Sequence, residues 1–98
     1  MMCGGVNQSK DATDEIQDLV EKVRSQLEAK VGKSFPKYKA ISYISQIVAG
    51  TNFFVKIQTD ENEYTHVRIF RSLPTPDSEF TVHSHQTGKS KEDAVTYF

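Results

Sequence analysis

The sequence predicts an α+β fold: one long amphipathic helix laid across an antiparallel β-sheet of about five strands. Three observations carry that prediction. One stretch near the amino terminus repeats apolar residues at steps of three and four. Everything after Pro36 is rich in β-branched and aromatic residues. The strand-like stretches alternate apolar with polar positions, the pattern of a sheet covered on one face. A chain of 98 residues and 11.1 kDa buries roughly 60–65% of its unfolded surface, enough for one core and not two. That excludes a two-domain enzyme and predicts a single domain over 1–98. With 37% hydrophobic and 26% charged residues, the chain has the balance of a folded protein and not of a disordered one.

Taken in order, residues 1–6 include the pair Gly4-Gly5 and read as a mobile arm. From Thr13, the residues Ile16, Leu19, Val20, Val23, Leu27 and Val31 form one apolar stripe, with charged residues and Gln26 on the other face. Asp11 or Thr13 can cap the first amides, acidic residues occupy the first turn and Lys30 the last, and Gly32 followed by Phe35-Pro36 ends the helix. Strands are expected at 38–48, 52–59, 64–73 and 80–85. In the second, Phe53, Val55 and Ile57 alternate with Phe54, Lys56 and Gln58. In the third, Val67 and Ile69 alternate with His66, Arg68 and Phe70. Ala49-Gly50-Thr51, Asp60-Glu61-Asn62-Glu63 and Leu73-Pro74-Thr75-Pro76-Asp77 are the connecting turns. The tail, 93–98, is expected to add a last strand segment.

Twelve Lys+Arg against 13 Asp+Glu give a net charge of -1, too little field to draw a nucleic acid or an anionic membrane surface. No run approaches the ~18 apolar residues of a membrane span. The opening residues lack the basic and apolar regions of a secretory signal, so the expected location is cytoplasmic, with nuclear entry or release without a signal peptide left open.

The chain shows little sign of catalytic chemistry. Cys3 is the single cysteine and forms no internal disulfide; on the expected arm it has no fixed base beside it, and it reads as a free, exposed thiol. No GxSxG, HExxH, Walker or GxGxxG pattern is present. His83 and His85 share a strand face and His66 lies on a neighbouring strand, but they lack a thiolate and a fourth ligand, so solvent-facing imidazoles are expected rather than a metal site. Lys33, Lys37 and Lys39 read as a solvated edge. No cofactor is expected.

The turns are less ordinary. Ser45-Gln46-Ile47-Val48-Ala49-Gly50-Thr51 places small and apolar groups at a hairpin tip, where polar residues are usual. Leu73-Pro74-Thr75-Pro76 again offers an apolar side chain, stiffened by two prolines. In a meander these tips share one end of the sheet, within reach of the amino-terminal arm. Periodicity leaves open a plainer alternative, in which Ile47 and Val48 are the buried end of a strand.

At these residues the sequence resembles the stefins, the intracellular type 1 cystatins. Gln46-Ile47-Val48-Ala49-Gly50 matches the family's Gln-x-Val-x-Gly hairpin, and Leu73-Pro74 matches its second loop. Met1-Met2-Cys3-Gly4 and Thr96-Tyr97-Phe98 match stefin termini, so the likeness covers essentially the whole chain. The resemblance implies a cystatin-like fold and reversible, tight-binding inhibition of papain-like cysteine proteases such as the lysosomal cathepsins. The family's mode implies a wedge. Met2, Cys3 and Gly4 would take the unprimed subsites, Gln46, Ile47, Val48, Ala49 and Gly50 would lie over the catalytic centre, and Leu73 with Pro74 would cover the primed side. Thr75 stands where a close member of the family carries His, and Gly5 loosens the arm, which leaves protease preference open. The alternative is an interaction module that keeps the fold without inhibiting. The chain is expected to be mainly monomeric, with the short first hairpin allowing a domain-swapped dimer.

Overall fold

The computed structural model describes residues 9–72 and 79–98. The chain runs β1 (Lys10–Asp11), α1 (Asp14–Lys22), α2 (Arg24–Val31), β2 (Lys39–Val48), β3 (Gly50–Asp60), β4 (Glu63–Arg71) and β5 (Phe80–Lys89). The strands form one antiparallel sheet in the order β1-β2-β3-β4-β5. This is the expected α+β meander. Strand β1 was not foreseen, because a two-residue polar strand has no periodicity to read.

The apolar stripe of the helical region folds as predicted and packs on the sheet. Ile16, Leu19, Val20, Val23 and Leu27 are buried together with Val55, Ile57, Val67, Ile69 and Val82. Thr13 caps the start, its hydroxyl accepting from the Ile16 amide at 3.4 Å, and Gly32 ends it in the left-handed region at φ 88°. One expectation is corrected: the single long helix is two. Val23 adopts φ -105° and ψ 7°, and its amide donates to the Val20 carbonyl, three residues back, at 3.3 Å. The break lets the two halves address opposite edges of a twisted sheet, α1 contacting β2 and α2 contacting β5.

Two glutamine carboxamides make those attachments. Gln17 Nε2 donates to the Tyr38 carbonyl at 3.0 Å while its Oε1 accepts from the Ala40 amide at 2.8 Å. Gln26 repeats the arrangement on β5, donating to the Phe80 carbonyl at 3.2 Å and accepting from the Val82 amide at 3.2 Å. Each satisfies backbone groups that no neighbouring strand reaches. Below α2, Glu28 accepts from the Phe35 amide at 2.9 Å and from Arg24 Nε at 3.2 Å. The Phe35 amide, with Arg24 beside it, holds this carboxyl below the usual carboxylate range.

The second face of the sheet is not wholly wet, as the alternation implied. The tail at 93–98 forms no strand, contrary to expectation; after a turn in which the Asp93 amide donates to the Ser90 carbonyl at 3.2 Å, it lies as a strap over the outer face. Val95 is buried against Ile44 and Phe54, with Phe98 packed on the same cluster. Tyr97 and Phe98 meet the Phe54 ring edge-on at 5.1 and 5.5 Å. Lys56 Nζ donates to the Lys91 carbonyl at 2.7 Å, and Arg68 Nη1 donates to the Phe98 carbonyl at 3.0 Å. A strap of this kind satisfies polar groups through backbone carbonyls, which composition does not reveal. Among the described residues, no helix is long and apolar enough to cross a membrane.

Candidate functional site

The β2–β3 connection is tighter than the sequence implied. Strand pairing continues through Gln46↔Asn52 and Ile47↔Thr51 to Val48↔Gly50, which leaves Ala49 alone at the turn. Gly50 was assigned to the loop and instead opens β3 with φ 119°, a conformation that L side chains rarely adopt. The tip therefore stands on a paired, twisted stalk rather than on a slack loop.

At this tip Ile47 is 84% exposed. That settles the alternative for Ile47, which is no buried strand end. Gln46 and Ala49 are also exposed, while Gly50 is buried. Val48 is the last residue of β2. Beneath them Asn52, 4% exposed, donates through Nδ2 to Gln46 Oε1 at 3.4 Å. This cross-strand contact ties the base of the tip to the sheet.

The register brings the base of the β4–β5 connection to the same end as the first tip. Thr51 pairs with Arg71, and Arg71 in turn with Phe80, so the β4–β5 connection departs one rung from the first tip. Its base is closed by the Ser72 amide donating to the Glu79 carbonyl at 3.2 Å and the Glu79 amide donating to Ser72 Oγ at 3.0 Å. Strand β1 runs antiparallel to β2 with Lys10 opposite Tyr43 and Asp11 opposite Ser42, so the chain enters the sheet from this end. Met2, Cys3, Gly4, Leu73 and Pro74 lie outside the described residues.

Gln46, Ala49, Asn52, Arg68, Phe70 and His83 line a shallow depression of about 510 Å³ on the outer face beside the tip. Phe70 and Asn52 are the residues that the sequence reading missed. Alternation assigned Phe70 to the wet face, and only its proximity to Gly50 gives it a role. The histidines are also redistributed. His66 is 1% exposed rather than solvent-facing, because the strap covers it; burial and the nearby Lys56 and Lys89 pull its pKa down to about 4, against a smaller opposing effect of Asp93. His83 is exposed and His85 half-buried. Among the described residues, no group of three or more His, Cys, Asp or Glu side chains is placed to hold a metal ion.

These residues place an exposed apolar side chain on a paired hairpin, beside the base of the β4–β5 connection. A model of the cystatin domain matches residues 4–92. Over 98 residues, 100% of both chains, the sequence is 48% identical to cystatin-B of Sus scrofa. It is 46% identical to cystatin-B of Homo sapiens and 44% identical to cystatin-A of Felis catus, again over 100% of both chains. The chain belongs to the cystatin family, in its stefin branch, and is by class a cysteine protease inhibitor and not an enzyme.

Proposed function

We propose that this protein inhibits papain-like cysteine proteases of the cathepsin type, reversibly and in the cytoplasm, by filling the active-site cleft with a three-part wedge. Gln46, Ile47, Val48, Ala49 and Gly50 lie over the catalytic centre. Met2, Cys3 and Gly4 occupy the unprimed subsites, and Leu73 with Pro74 covers the primed side. The single observation that carries this reading is the 84% exposure of Ile47, two residues below the Ala49 turn of a hairpin paired up to Val48↔Gly50. Transfer of an isoleucine side chain from water into a cleft is worth roughly 1.5–3 kcal/mol, and a stalk already folded loses little freedom on docking. The wedge offers no step of chemistry; it excludes substrate by occupancy.

The test is titration of an active-site-quantified papain-like protease with the intact protein and with Ile47→Ala and Leu73→Ala. Activity should fall to zero near one equivalent. Ile47→Ala should raise Kd by about tenfold or more, the equivalent of ~1.4 kcal/mol, with thermal stability unchanged because the side chain is already in water. Wild-type protein that leaves the protease active at large excess defeats the proposal.

A further inference from the structure

The ring of Phe70 fills the space in which a side chain at position 50 would stand. A Cβ on Gly50 would lie 2.7 and 2.9 Å from Cζ and Cε1 of Phe70, and 2.5 Å from the Arg71 carbonyl oxygen. The aromatic edge is therefore packed directly against the Gly50 backbone. Phe70 pairs with Asn52 on one side and Thr81 on the other, which seats it in the row beneath both connections. Beyond the Thr51↔Arg71 rung only the Val48↔Gly50 pair and Ala49 remain, with the Phe70 ring and the Arg71 carbonyl against Gly50. A two-stranded hairpin is marginal by itself and twists readily. Ile47 and Ala49 are exposed and brace little, while Gln46 is tied to Asn52 below the turn.

We infer that Phe70 is the positioning residue of the wedge: its ring props the Gly50 backbone and sets the direction in which the Gln46–Ile47 tip is presented. The inference rests on the protease-binding reading above. An aromatic ring suits the task because it is planar and has only two side-chain torsions, so it resists displacement where a flexible side chain would yield. Gly50 and Phe70 are complementary halves of one contact. The glycine supplies φ 119° and the absent Cβ, and the ring supplies the surface that takes up that space.

Two measurements on the intact protein test this, with Phe70→Ala, Phe70→Tyr and, as a core-destabilised control away from the tip, Val20→Ala. The first is association and dissociation kinetics with a papain-like protease. Phe70→Ala should raise Kd about tenfold, mainly through faster dissociation, because pre-organisation is lost while the tip residues remain. Phe70→Tyr, which keeps the ring, should restore both rate constants, and Val20→Ala should change neither. The second is amide hydrogen exchange without protease, in which Phe70→Ala should speed exchange at Ala49, Gly50 and Thr51 while the centre of the β3–β4 pairing stays protected. Unchanged exchange at those amides, or an equal loss of affinity in Val20→Ala, overturns the prop. Should the wild-type chain fail to inhibit, the protease reading falls and the exchange measurement still decides whether Phe70 braces the tip.

Discussion

Tyr38 shows how much a single polar atom can matter in an apolar setting. It is 9% exposed and stacks on Phe35, ring centroids 5.8 Å apart, with the Arg24 guanidinium 4.8 Å above its ring. Its hydroxyl donates to the Val20 carbonyl at 2.6 Å. That carbonyl lies in the last turn of α1, just before the break at Val23, where the regular ladder of helix hydrogen bonds is interrupted. Burial, with Glu21 nearby, pushes the phenol well above its ordinary pKa, so it remains a donor throughout the physiological range. Tyr38→Phe should therefore cost about 1 kcal/mol by removing the shorter of the two hydrogen bonds to that carbonyl, which keeps only the longer one from the Val23 amide. The check is a urea titration in which the midpoint falls and the slope does not change. Ile47 is the contrasting case, since nothing in the fold depends on its side chain.

At the scale of elements, the strap over 90–98 does what the sheet's own strands do not, covering the outer face at Lys56 and His66. The Lys56 ammonium, its pKa lowered chiefly by burial and supported by Asp93 and Glu92, holds the Lys91 carbonyl. His66 Nε2 is buried without a hydrogen-bond partner. Protonating that imidazole would set a second cation beside Lys56 in a dry place. With a folded pKa of about 4 against the ordinary imidazole value of 6.5, the unfolded chain takes up the proton first. The stability conferred by neutral His66 is complete above about pH 6.5 and is lost as the pH falls toward 4. The separation corresponds to on the order of 3 kcal/mol. Urea titrations between pH 7 and 4 should show a loss of that size beyond what His66→Phe retains. Equal pH dependence in the two proteins would show that other groups carry the acid sensitivity.

At the scale of the molecule, the meander places the β2–β3 turn and the base of the β4–β5 connection at one end of the sheet. It also makes one hairpin a weak hinge. Ala49 alone separates Val48 from Gly50, so straightening this turn would fuse β2 and β3 into one long strand able to pair with a second copy. Such an exchange preserves nearly every strand contact and removes the tip. A non-covalent dimer isolated by size exclusion should thus fail to inhibit until it dissociates, and recovery of inhibition should follow the appearance of monomer. Full inhibition by a dimer that stays intact through the assay would show that the tip survives association.

Much of this architecture was legible in the chain because it depends on local periodicity. The stripe from Ile16 to Val31, the alternation through Phe53–Ile57 and Val67–Ile69, and the apolar tip around Ile47 are properties of neighbouring residues. The Gln17 and Gln26 attachments, β1 and the strap were not legible, since each joins groups far apart in sequence, and the helix break at Val23 was hidden because the apolar stripe runs straight through it. Gln26 reads as one more polar residue on a solvated face until Val82 is placed beside it. His66 reads as a wet position until the strap is laid over it. Gly50 invites a turn by its type, but that turn is narrow because Phe70 and Arg71 occupy the space above its α-carbon. Hydrophobic periodicity and turn chemistry act over a few residues, which is enough for the α+β class, the helical stripe and the places of the turns, whereas periodicity alone left Ile47 either exposed or a buried strand end. Only the tertiary structure decided how the tip is braced, which histidine is dry and how the outer face is closed, because those depend on which distant backbone groups must be satisfied when the sheet is assembled.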